Sequence, residues 1–353
     1  MAGFDVSRGN QPPIFNKESN LVKPDRNSSD VLLIAGWSFF LVALSLWIQG
    51  DIDISFTDEG YLWYGVIQTK SGQVPIRDFQ SYEPGRYYWS AAWSYLLGGG
   101  IMALRISSGI FQGIGLALAL LAARRAVSSY WKLALVGLLL IVWTYPIFKL
   151  VDVSLAMSAV FFAVRLAEKP SFARHFVAGV FVGLAAFFGR NHGLYGFLAF
   201  SSLIFLIWLK WDRDSLTKRL AAWGAGILCG FSPMIFMFVF VPGFFNSFIG
   251  PNIFLLKAGA TNLALPMPWS YKIFSAGVRL DEKLFSLSMV FLFLAMPVFY
   301  LFGVVSLFFT GKENIRNRAL FAASVFVGVF YMHYAFSRED IAHLTISMPP
   351  FLL

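Results

Sequence analysis

The chain has 353 residues, 58% of them hydrophobic and only 13% charged, with a net charge of +9. Soluble domains carry about 25% charged residues, so this composition excludes an ordinary water-facing shell. Apolar runs long enough to cross a bilayer make lipid the alternative solvent. The basic excess does not point to nucleic acid, because no Lys/Arg cluster interleaves with aromatics as that binding requires.

Residues 1–30 are polar, with Pro12, Pro13, Asn27, Ser28 and Ser29, and lack the apolar centre of a signal peptide. They read as a cytoplasmic tail ahead of residues 31–353, a single membrane domain. The predicted spans are Val31–Gln49, Ile106–Ala123, Leu133–Phe148, Leu150–Leu166, Phe176–Gly189, Gly193–Leu209, Leu220–Val241, Leu284–Phe309 and Ala319–Phe336. A tenth starts near Ile341 and is cut off at Leu353, so the chain reads as a truncated version of a longer protein. The fold class expected is an all-α polytopic membrane protein of about ten transmembrane helices. The single Cys229 lies in an apolar run and reads as a small core residue, with neither disulfide nor cysteine metal cluster.

Tyr87–Leu97 is apolar for only 11 residues, between Arg86 and a Gly98-Gly99-Gly100 run. Treating it as non-spanning, with a cytoplasmic N-terminus, places 17 of the 28 basic residues in inside segments. Counting it as a span would put Arg124, Arg125 and the Lys210–Arg219 group outside. The non-spanning reading therefore stands, and it leaves two long outer loops, 50–105 and 242–283.

The first outer loop gathers acids. Asp51, Asp53, Asp58, Glu59, Asp78 and Glu83 are six of the chain's 19, within 33 residues. Two short interfacial helices are predicted there. One runs from near Asp58 to about Lys70, with Leu62, Trp63, Val66 and Ile67 on one face and Tyr61, Tyr64 and Gln68 on the opposite edge. The other starts at EPGRYYW, where Pro84 suits the first helical position and Glu83 the cap. A carboxylate at a helix N-terminus is favoured by the helix dipole and can act as a general base. Capping alone is the competing role.

Asp152 is an acid inside the outer half of a span, where acids are costly and usually paired or functional. A structural ion pair with Lys149, three residues earlier, and a substrate-binding place in the acceptor cavity are the two open roles for Asp152. Arg86, Arg190, Lys257 and Arg338 lie in outer segments and suit phosphate, Arg as a bidentate fork and Lys as a point charge. His192 and His333 read as isolated, and EDIAH around His343 lacks a second His at metal-binding spacing. The 242–283 loop, apolar pieces broken by Gly and Pro around Lys257 and Lys272, reads as a cover that opens and closes.

Residues 57–109, TDEGYLWYGVIQTKSGQVPIRDFQSYEPGRYYWSAAWSYLLGGGIMALRISSG, resemble the first outer loop of the GT-C glycosyltransferases. The similarity is greatest to the branch of protein O-mannosyltransferases and the lipid A aminoarabinose transferase. KLVDVSLAM, FFGRNHGLYG and SREDIAHL look like later pieces of that branch, more loosely. The resemblance implies sugar transfer from a polyprenyl-phosphate donor to a glycan, lipid or protein acceptor, in a bacterial inner (plasma) membrane. It implies that Asp58 binds or activates the acceptor and that Glu83 assists. Glu59 falls on the apolar side of the first loop helix by the wheel and ranks below Asp58; it and Tyr61 are substrate-binding candidates. One departure stands out: the aminoarabinose transferase has a Lys directly after its loop acid, whereas EPGR here offers Arg86 three residues on. No cofactor is expected, although two carboxylates could hold a divalent ion weakly, as oligosaccharyltransferases of the wider superfamily do. No Gly-rich phosphate loop is present, in keeping with a lipid donor. The runner-up is a transporter or flippase, against which stand the missing inverted repeat and the gathering of ionisable residues in outer loops.

Overall fold

The structure is a computed structural model that describes residues 28–50, 52, 54–144, 149–210, 213, 215–258, 274–275, 277–309, 317–337 and 340–353. Among these residues the chain forms helices and no strand. In order they are α1 (Ser28–Gln49), α2 (Glu59–Lys70), α3 (Pro84–Leu97), α4 (Ile101–Ala123), α5 (Tyr130–Trp143), α6 (Leu150–Glu168) and α7 (Phe172–Phe188). There follow α8 (Arg190–Lys210), α9 (Leu216–Phe240), α10 (Phe244–Lys257), α11 (Leu280–Phe309), α12 (Ala319–Ser337), α13 (Ile341–Ser347) and α14 (Pro349–Leu352). Seven of them, α1, α4, α6, α8, α9, α11 and α12, are long and apolar enough to cross a membrane. The shorter α5 and α7 are apolar as well. Where the tenth span is predicted to begin, the chain forms two short helices, α13 and α14, split where Pro349 and Pro350 remove backbone donors.

Two contacts fix how α1 and α4 run. Asp30 at the start of α1 lies 3.8 Å from Arg124 at the end of α4. At the other end, Arg105 near the start of α4 donates to the Gly50 carbonyl just after α1. The helices are therefore antiparallel neighbours, and the segment between them leaves and returns at one end of the bundle. That segment holds α2 and α3, neither of which is a candidate span. α4 begins five residues earlier than its predicted span, because Gly100 rather than Arg105 precedes its first turn.

The core lies around α6, which is buried along most of its length and packs on α4, α7, α8 and α12. Two faces differ from expectation. Cys229 is exposed on α9, not in the core, since an apolar run in lipid does not say which side faces the protein. On α2 the inward face is Glu59, Gly65, Val66 and Thr69, while Trp63 and Ile67 are exposed.

α7 and α9 make the closest helix pair. Gly179 and Gly183 on α7 face Gly226 and Gly230 on α9, and a methyl group added at any of them would run into a backbone carbonyl of the other helix. Both helices thus carry the small-xxx-small spacing that lets backbones touch where no hydrophobic force drives association. Gly183→Leu is expected to destabilise the protein by about 1–3 kcal/mol or more, through overpacking. Gly224→Leu, whose side chain would enter open space, should stay near wild type when both are compared by thermal unfolding in detergent.

Candidate functional site

Asp58, Glu59, Asp78, Glu83 and Arg86 lie at the end of the bundle where α1 ends and α4 begins, whereas Asp51 and Asp53 lie outside the described residues. Local sequence sets the two helix starts. Asp58 is the N-cap of α2 and Glu83 the N-cap of α3, with Pro84 at the first position of α3. Neither side chain makes a capping hydrogen bond.

The two caps differ in what they touch. Asp58 is half-buried and forms no ion pair among the described residues; its carboxylate accepts only a long 3.5 Å bond from the Ser55 hydroxyl. Glu83 is 4% exposed, and its Oε1 lies 2.6 Å from Arg190 Nε at the start of α8. No hydrogen bond is aligned on that oxygen, so the contact is ionic in character. Arg190 also donates to the Asn252 side chain on α10, and its own side chain is 40% exposed. It is the most open of the cations around Glu83. Helix α10, inside the second long loop, thereby meets the first loop through Asn252. Lys257, at the other end of α10, is exposed and forms no ion pair among the described residues. Arg338 lies outside the described residues.

Tyr61 sits between the two acids on α2, half-buried, its ring edge-on to Tyr82 at 5.3 Å between centroids. Burial, with Tyr82 and Glu83 beside it, pushes its hydroxyl up to about 12 against the opposing pull of Arg86 and Arg190. At neutral pH it is a hydrogen-bond donor, not an anion.

Glu59 is turned the other way. It is 4% exposed and accepts two bonds from Arg105, 2.9 Å from Nε and 2.7 Å from Nη2. This bidentate pair ties α2 to α4 and gives Glu59 a structural role.

Beneath the surface acids lies a second, fully buried polar group. Asp152 Oδ1 accepts from Arg86 Nη2 at 3.1 Å and meets His192 Nε2 at 2.8 Å. Lys149, the expected partner, is among the cations that act on Asp152, but the groups within bonding distance of its carboxylate are Arg86 and His192, because α3 and α8 bring them to the first turn of α6. Arg86 also donates to the Phe188 carbonyl at 3.0 Å and stacks over Tyr82 at 4.7 Å. Burial alone would lower the proton affinity of Arg86, but Asp152 and Glu83 outweigh it and hold the guanidinium above its ordinary range. Its donors point inward, which leaves Arg190 as the cation closer to solvent.

His192 and His333 are not isolated. His192 Nδ1 lies 3.0 Å from the Tyr331 hydroxyl and Nε2 lies 3.3 Å from that of Tyr334, both on α12. Tyr195 meets His333 at 2.6 Å. With Nε2 donating to Asp152, Nδ1 of a neutral His192 accepts from Tyr331, so one tautomer satisfies the chain of contacts. Sequence reasoning missed Tyr331, Tyr334 and Asn252 altogether. The one available signal was GRNHG: Gly189 alone separates α7 from α8, which sets Arg190 and His192 two residues apart at a helix start.

The sequence matches no family model and no curated protein.

Proposed function

We propose that this protein is a membrane glycosyltransferase of GT-C type that moves a sugar from a polyprenyl-phosphate donor to a glycan, lipid or protein acceptor. The observation that carries the reading is the contrast between the two loop acids: Asp58 stands half-buried with no cation of its own among the described residues, 25 positions before Glu83, which is buried against Arg190. Displacement of a lipid phosphate by an acceptor hydroxyl needs a base for the proton and cations for the charge growing on the leaving oxygen. Asp58 is assigned the first task. Arg190, steadied by Glu83 and Asn252, is assigned the second. Tyr61 offers a neutral hydroxyl between them. Asp152, Arg86 and His192 form the floor on which α3 rests.

In this reading the chain crosses a bacterial inner membrane about ten times with its N-terminus in the cytoplasm, and the acids face outward. The resemblance of residues 57–109 to the GT-C outer loop supports it. So does the antiparallel pairing of α1 and α4, which returns the acidic segment to the end it left. A transporter would concentrate ionisable groups near mid-span between repeats, whereas this group stands at the ends of α3, α6 and α8.

The test is transfer of radiolabel from polyprenyl-phosphate sugars to membrane acceptors by the purified protein. Label appearing in an acceptor only when the protein is present is the expected result. Movement of intact donor lipid between leaflets with no labelled product would favour the flippase reading instead.

A further inference from the structure

At the end of the bundle away from Asp58, three guanidinium groups close on one carboxylate. Arg125 follows α4, Arg165 and Glu168 lie in the last turn of α6, and Arg174 lies in the first turn of α7. Arg125 Nε is 3.1 Å from Glu168, Arg165 Nη1 3.9 Å and Arg174 Nη1 3.8 Å. All four side chains are between 20% and 30% exposed, so the cluster is open at its rim. One carboxylate cannot neutralise three cations, and a net charge of +2 stays in the cluster.

Further features add to this positive field. The N-terminus of α7 ends here, capped by the Ser171 side chain on the Arg174 amide, and a helix start carries partial positive charge. Lys169, next to Glu168, is exposed. Burial, with Arg165 adding to it, holds the Arg125 guanidinium below its ordinary proton affinity despite the pull of Glu168. Basic residues that serve only to orient spans extend separately toward water. These converge on a shared point at the ends of α4, α6 and α7, and helices as long as α4 and α6 put their ends near the headgroup layer when they cross a bilayer.

We propose that Arg125, Arg165 and Arg174 form a binding site for the phosphate of an anionic membrane lipid headgroup. Guanidinium forks match phosphate oxygens in pairs, and basic pockets between span ends suit anionic headgroups. Glu168 holds the three arginines together and at the same time competes with the lipid for them. The site lies at the opposite end of the bundle from Asp58 and does not depend on the glycosyltransferase reading.

The test is native mass spectrometry of the purified protein in micelles containing phosphatidylglycerol or phosphatidylcholine, with inorganic phosphate as a separate arm. Phosphatidylglycerol is expected to stay bound in preference to the other two. Arg165→Gln removes the longest of the three ion pairs, so it should fold, and it should weaken retention about fivefold. Glu168→Gln should strengthen retention, since the competing anion is gone. A purely structural cluster gives the opposite sign, with Glu168→Gln loosening the arginines and weakening lipid binding. That outcome, unchanged retention in Arg165→Gln, or inorganic phosphate binding as well as the lipid would each overturn the proposal.

Discussion

Asp58→Asn is expected to lower sugar transfer by about 10²–10⁴-fold, the range for loss of a general base, while the protein stays folded. The structure separates the two effects. Asp58 makes no side-chain capping bond and no ion pair among the described residues, so an amide of the same shape leaves no buried cation behind. The stability change is limited to a helix-dipole contribution of about 0.3–1 kcal/mol. The neighbouring Glu59→Gln should behave in the reverse manner, because it strips the charge from a buried bidentate partner of Arg105 and its first effect is on folding. Glu83→Gln should fall between the two, loosening Arg190 without unpacking α3. The measurement is labelled-sugar transfer by purified variants matched for thermal stability. An Asp58→Asn protein that keeps more than about a tenth of wild-type turnover would sink the assignment of Asp58 as base.

Asp152→Ala is expected to cost about 3–5 kcal/mol, the range seen when one partner of a buried ion pair is removed. The side chains of Arg86 and Asp152 are each only 7% exposed. Without the carboxylate, Arg86 bonds only the uncharged Phe188 carbonyl and stacks on the Tyr82 ring, and the one remaining anion that acts on it among the described residues, Glu83, is already paired with Arg190. His192 loses its acceptor in the same step. Asp152→Asn retains an oxygen for both donors and should lose less. Replacing Arg86 and Asp152 together by Met and Leu should cost clearly less than the two single changes combined, since no charge is then stranded. Thermal unfolding of the four proteins in one detergent tests this. Additive losses would mean that the two groups act independently.

Features that depend on local chain chemistry were legible in the sequence. Pro84 and the acid before it marked the start of α3, and Asp58 marked the start of α2, because capping rules act over three or four residues. The antiparallel return of the first loop followed from the distribution of basic residues along the whole chain. What escaped notice is tertiary. Asp152 was matched with Lys149 by helical spacing, yet Arg86 and His192, the groups bonded to its carboxylate, stand 66 and 40 positions away, and no periodicity links them. Cys229 and the outer face of α2 were misplaced for a related reason: hydropathy does not distinguish a side chain facing lipid from one facing protein. The paired glycines of α7 and α9 were readable in principle as a spacing of four on each helix. Only the structure shows that the two sets meet.

The order in which the members of the buried triad leave the ribosome has its own consequence. Arg86 is made 66 residues before Asp152, and His192 follows 40 residues after it. A lone carboxylate entering a bilayer is expensive, but by the time α6 is made its cation has already left the ribosome, on α3 at the end of the bundle where α6 begins. The imidazole arrives later and locks an arrangement that is already neutral. Loss of the arginine is therefore expected to act during biogenesis, by reducing the number of chains that integrate, and loss of the histidine afterwards, on chains already in place, a difference that the yield of membrane-inserted protein would reveal.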